Sequence, residues 1–201
     1  MEVLTEIRVP WEKKIPLEKG ERLRAEAEES SGGLLIRIGR EALREPDWKM
    51  LSEQAREMIR TEREPVAAMS NLSALLYDAL PDVNWLGFYL LRGERLTVGP
   101  FQGKPACVHI PVGKGVCGTA VERGEVLNVP DVHAFPGHIA CDSASRSEIV
   151  LPLRAGKRIV GVLDIDSPLP ARFSDADAEG LRTVAEVIGQ EIAWAGDAPE
   201  A

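Results

Sequence analysis

From Asp47 to about Ala79, apolar residues recur at the three- and four-residue spacing of a helix face. Pro65 cannot donate a helical hydrogen bond and divides the run into two helices, the second with the stripe Met69, Leu72, Leu76 and Leu80. Beyond Pro81 the period shortens. Trp85–Leu91 is a run of strand formers, and Arg92-Gly93-Glu94 turns it into Arg95–Val98. Cys107–Val112 predicts a further strand, Gly115–Arg123 a short helix opened by a glycine, and Val126–Val129 another strand. Residues 130–146 are turn-rich, and loops of that length in compact domains usually carry function. Glu148–Leu153 and Arg158–Asp166 predict a hairpin. A last helix starts near Ser174, where Ser-Asp-Ala-Asp supplies a cap and early negative charge, and runs through Leu181, Val184, Val187, Ile188 and Ile192. Helices, then strands, then a closing helix describe an α+β fold: an antiparallel central sheet with helices packed on one face.

Residues 1–44 join this pattern nowhere; Gly33–Ile38 could form a short strand. They are assigned to an N-terminal extension of unknown role, and residues 45–197 to one folded domain. Up to Glu64 there are 13 Lys and Arg against 15 Asp and Glu, whereas the remaining 137 residues carry 11 against 17. The net charge of −8, with no basic run longer than two residues, disfavours general nucleic-acid binding. No run of eighteen apolar residues spans a membrane, and Met1–Gly20 lacks the pattern of a secretory signal, so a cytoplasmic address is expected.

Alternation along Arg158–Asp166 puts Val160, Val162, Asp164 and Asp166 on one face of the strand and Ile159, Gly161, Leu163 and Ile165 on the other. With Ala155-Gly156-Lys157 as a three-residue loop, Arg154 faces Arg158 and Glu148 falls opposite Asp164. Three acids then share one patch, which requires a cation, a shared proton or open water. A solvated sheet face is the plain alternative, although Val150 and Val162 lie on that same face.

The three cysteines, Cys107, Cys117 and Cys141, and the three histidines, His109, His133 and His138, all fall within residues 107–141. This is no secreted disulfide framework; it points to reactive thiols, a metal or plain burial. His138 and Cys141 are three apart and Cys107 with His109 could add ligands, but no Cys-x-x-Cys pair occurs and the local contexts differ, so no metal and no cofactor are assigned. Cys141 lies in the long loop, where a thiolate could meet a ligand. Trp85 and Tyr89, four apart on a strand, face the same side, either as core or as the lining for an apolar ligand group.

Six segments carry a denser signal: Trp85–Leu91, Gly99–Cys107, Gly115–Ala120, Asp131–Asp142, Ser147–Pro152 and Gly161–Ser167. In order and in content they resemble the free methionine-(R)-sulfoxide reductases, enzymes built on a GAF-type domain. The resemblance covers about residues 47–193 and includes all three family cysteines; it does not reach residues 1–44. It implies reduction of free L-methionine-(R)-sulfoxide to L-methionine through a cysteine sulfenic acid and an intramolecular disulfide, with thioredoxin as electron donor. On this resemblance Cys141 matches the nucleophile, Cys107 its disulfide partner and Cys117 the third cysteine of the family. Glu148, Asp164 and Asp166 match the acidic groups of the substrate pocket, and Trp85 and Tyr89 its aromatic wall. A non-catalytic GAF module sensing a small molecule or redox state is the alternative. Apolar residues on the first helices could form a homodimer interface.

Overall fold

The computed structural model of the chain describes residues 46–139 and 142–194, together with the backbone of strands β1 (Thr5–Glu6), β2 (Glu21–Ser30) and β3 (Gly33–Ala42). The chain divides into two compact units, Met1–Glu45 and Pro46–Ala201. In the first, β1–β3 form an antiparallel sheet in the order β1-β3-β2, so the segment Gly33–Ile38 belongs to a ten-residue strand.

The second unit contains α1 (Trp48–Thr61), α2 (Pro65–Ala79), β4 (Trp85–Arg92), β5 (Arg95–Gly103), β6 (His109–Pro111), α3 (Gly115–Arg123), β7 (Leu127–Val129), β8 (Ser147–Ala155), β9 (Arg158–Ser167) and α4 (Asp175–Glu191). The helix boundaries follow from local chemistry. The Asp47 side chain accepts the Met50 N–H at the start of α1, and Pro65 opens α2. At α4, Ser174 and Asp177 form a reciprocal capping box. Among the described residues, no helix is long and apolar enough to cross a membrane.

The six strands pair antiparallel throughout, in the order β6-β5-β4-β9-β8-β7. One face is covered by α1, α2 and α4. Met69, Leu72, Leu76 and Leu80 bury there as the spacing predicts, against Leu86, Phe88, Ile149, Leu151, Leu163 and Ile165. The short α3 lies on the opposite face, where Val116, Cys117 and Ala120 pack with Trp85, Tyr89, Val150 and Val162. That second, smaller core removes the acidic face of β9 from bulk water. The strand expected at Cys107–Val112 is confined to His109–Pro111.

The hairpin differs in register from expectation. Ala155 pairs with Arg158 across a two-residue turn in which Gly156 takes φ +58°, and a bulge follows between Leu153 and Arg154. Glu148 therefore stands opposite Asp166, and Val150 opposite Asp164. The difference from the three-residue loop is two positions, an even number, so Glu148, Asp164 and Asp166 keep a common face. The bulge also turns Val160 to the helix-covered side, while Ile159 packs with α3.

Candidate active site

Pairing on both sides of β9 builds the site in rows. Trp85 of β4, Asp166 of β9 and Glu148 of β8 are direct neighbours across three strands. The next row is Gly87, Asp164 and Val150; the third is Tyr89, Val162 and Pro152. Gly87 has no side chain, so the Trp85 ring can lean across that row, where it stacks on Tyr89 at 5.6 Å between centroids and on Phe101 at 5.2 Å. The Trp85 Nε1–H donates to the Lys104 carbonyl at 3.1 Å. The indole therefore offers the pocket its face and not its N–H.

These rows floor a cavity closed by α3, by the segment before β6 and by the loop around His138 and Ile139. Glu148 and Asp164 are each only 6% exposed. The Asp164 Oδ1 has no hydrogen-bond partner. Burial pushes the Glu148 carboxyl well above the usual range, and the neighbouring Asp164 and Asp166 push it the same way. Asp166 is raised by burial and by the charges of Asp164 and Asp142, and burial lifts Asp164 to about 6. The two rows thus hold three carboxyls competing for protons. The Tyr89 phenol is raised by burial and by Asp164, and stays protonated.

The Cys117 thiol, in the first turn of α3, points at Glu148 Oε1 at 3.9 Å. Ligand atoms of Cys117, Glu148 and Asp164 all lie within 4.8 Å of one another, a spacing that could surround a cation. Burial, with the nearby acids, holds the Cys117 thiol well above its usual range, so in the absence of a cation it stays protonated. His138 Nε2 lies 4.0 Å from Glu148 Oε2, but burial and His133 lower the His138 pKa, and a neutral imidazole at that distance makes no ion pair.

At the rim, the Asp142 carboxylate accepts from the Ala144 N–H, the Asn84 amide and Lys104 Nζ, and these bonds, led by that of Ala144, hold it below the usual carboxylate range. Asn84 also donates to Ser145 Oγ, which hydrogen-bonds the Asp166 carboxyl.

Of the residues expected from sequence, Trp85, Tyr89, Cys117, Glu148, Asp164 and Asp166 line one cavity. Cys107 lies just after the lining residues Pro105 and Ala106; it is half-buried and disulfide-bonded, whereas Cys117 is free. Cys141 lies outside the described residues. His109, on the edge strand β6, is exposed and contacts Thr97 away from the cavity. Sequence reasoning missed Asn84, Lys104, Asp142 and Ser145. They are polar residues in turns, where polarity is ordinary, and only the fold brings them to one rim.

A GAF domain match spans residues 51–192. The chain is 58% identical over 128 residues to the free methionine-R-sulfoxide reductase of Escherichia coli, covering 64% of this chain and 78% of that one. It is 53% identical over 152 residues to protein YtsP of Bacillus subtilis, covering 75% and 93%. Among solved structures, fRMsr of Staphylococcus aureus in complex with substrate is 49% identical, with a TM-score of 0.71, covering 76% of this chain and all of that one, 100%.

Proposed function

The chain belongs to the free methionine-R-sulfoxide reductase family of GAF domains, and from that membership we propose that its pocket reduces free L-methionine-(R)-sulfoxide to L-methionine. The observation that carries the reading is the row Trp85–Asp166–Glu148, an aromatic face and two carboxyls side by side in a covered cavity, with a third carboxyl at Asp164. The S. aureus relative is a complex with its substrate, which supports a small-molecule occupant for the corresponding cavity.

A free amino acid brings an ammonium group. The crowded Asp166 carboxyl and the unpartnered Asp164 Oδ1 gain from that cation what water would otherwise supply. An amide nitrogen in a peptide carries no charge and leaves them unpaired, which favours the free compound. The methyl group rests against the Trp85 stack.

Cys141 attacks the sulfoxide sulfur as a thiolate. Glu148, kept protonated by burial and by its neighbours, gives its proton to the sulfoxide oxygen as the sulfur–oxygen bond breaks. The oxygen leaves as hydroxide, which attacks the Cys141 sulfur and breaks the sulfur–sulfur bond to methionine; methionine departs and Cys141 is left as the sulfenic acid. The Cys107 thiol then attacks that sulfur; water is expelled and a Cys107–Cys141 disulfide remains. An external dithiol such as thioredoxin reduces it, returning both thiols and leaving the donor oxidised. Engagement of Cys107 in a disulfide while Cys117 stays free supports this pairing. The ammonium also lowers the negative potential of the row, which favours the Cys141 thiolate once substrate is bound.

The test is methionine release from the separated R and S epimers of free methionine sulfoxide by the full chain with dithiothreitol. Turnover confined to the R epimer and lost in Cys141→Ser is expected. No turnover by reduced, folded protein, or near-normal turnover in the serine variant, would overturn the reading.

A further inference from the structure

We propose that Cys117 is a positioning residue whose thiol hydrogen holds the orientation of the Glu148 carboxyl, and that its sulfur takes no part in the thiol–disulfide cycle. The inference rests on Glu148 acting as the proton donor. Cys117 is 3% exposed in the first turn of α3. Its backbone is fixed by the next residue: a Cβ at Gly118 would collide with the Pro111 carbonyl, so only glycine lets the helix lie this close to β6.

A thiol has one hydrogen to donate, and the acceptors in reach here are carboxyl oxygens: Glu148 Oε1 at 3.9 Å and the Asp164 carboxylate, which also accepts from the protonated Glu148 when no substrate is bound. The titratable groups facing Glu148 are Asp164 and Asp166 from β9, Tyr89 from β4, His138 from the loop and Cys117 from α3. A protonated carboxyl has one O–H and one carbonyl-like oxygen. Donation by Cys117 to Oε1 makes that oxygen the acceptor and leaves Oε2 to carry the proton. Without the donor the carboxyl can turn over, and the proton faces the substrate only part of the time. The same hydrogen bond favours the Glu148 carboxylate, opposing burial and the two aspartates. A thiol buried among acids is a weak nucleophile and leaving group, consistent with Cys117 being free while Cys107 is bonded.

The test compares Cys117→Ala and Cys117→Ser with the parent chain, using dithiothreitol and free methionine-(R)-sulfoxide. In the alanine variant kcat is expected to fall about tenfold with KM changed less than about twofold, the pattern of a misplaced catalytic group. Its alkaline limb moves to higher pH, because Glu148 loses a bond that favoured ionisation. Serine, a donor at nearly the same place, returns kcat to within about threefold of the parent and restores the limb. Alanine matching the parent in kcat and pH profile would overturn the proposal. So would serine as slow as alanine, or Cys117 recovered in a disulfide during turnover. The infrared S–H stretch of Cys117 in unsubstituted, reduced protein reads the contact without a cysteine variant: it should shift in Glu148→Gln, and a band that ignores that substitution would also overturn it. Absence of turnover in the parent would defeat the reductase reading instead, and the S–H band would still report on this contact.

Discussion

Asp164→Asn isolates what the acidic row costs the fold. Asp164 is almost fully buried, one of its oxygens is unpartnered, and burial lifts its carboxyl from the ordinary 3.8 to about 6. Between those two values the folded protein retains a proton that the unfolded chain has released. Stability therefore falls as pH rises through this window, and the loss is complete above about pH 6. At about 1.4 kcal/mol per pH unit, the accumulated cost is about 3 kcal/mol. Asparagine has the same shape and never ionises. The variant should match the parent near pH 3.5 and exceed it by about 3 kcal/mol at pH 8, or about 6 to 12 °C in Tm for a chain of this size. Removing this charge also eases Glu148 and Asp166, which acts in the same direction. The assay is urea unfolding of fully reduced protein without substrate at the two pH values. An equal difference at both pH values, or a variant less stable at pH 8, would refute the argument, because either result means that ionisation of Asp164 is not what limits stability. Turnover should fall in the same variant, since the site gives up stability to keep an acid where the substrate needs one.

Asp166→Asn should raise KM for the free amino acid about 10- to 100-fold, the worth of one charge-assisted hydrogen bond. The preference over N-acetyl-methionine sulfoxide, which has no ammonium group, should shrink with it; steady-state kinetics on both compounds would expose an unchanged preference. Leu72→Ala, at a fully buried position of α2 far from the acids, should cost about 2–5 kcal/mol in denaturant unfolding, and a loss below about 1 kcal/mol would mean that the helix face is not packed as described.

Periodicity, caps and turn residues are local, and they located most of the elements of the second unit. The Pro65 break, the Ser174 capping box and the helix beginning at Gly115 are set by residues within a few positions of one another. The common face of Glu148, Asp164 and Asp166 was equally legible, because side-chain alternation survives any even change of register; the pairing itself was not, because the two-residue turn at Gly156 and the bulge at Leu153 displaced it by two. Motif order carried the family resemblance on the same local basis. Only the tertiary structure decided that the acidic face is covered. A sheet face bearing two valines and three acids reads equally well as solvated, and it is α3, distant in sequence from the hairpin, that closes over it and raises the carboxyls. Only the tertiary structure placed Cys117 against Glu148, and Asn84 between Asp142 and Ser145, since each contact spans at least 31 positions. Burial and long-range proximity are properties of the packed chain, and they turn ordinary acids into a site that holds a proton.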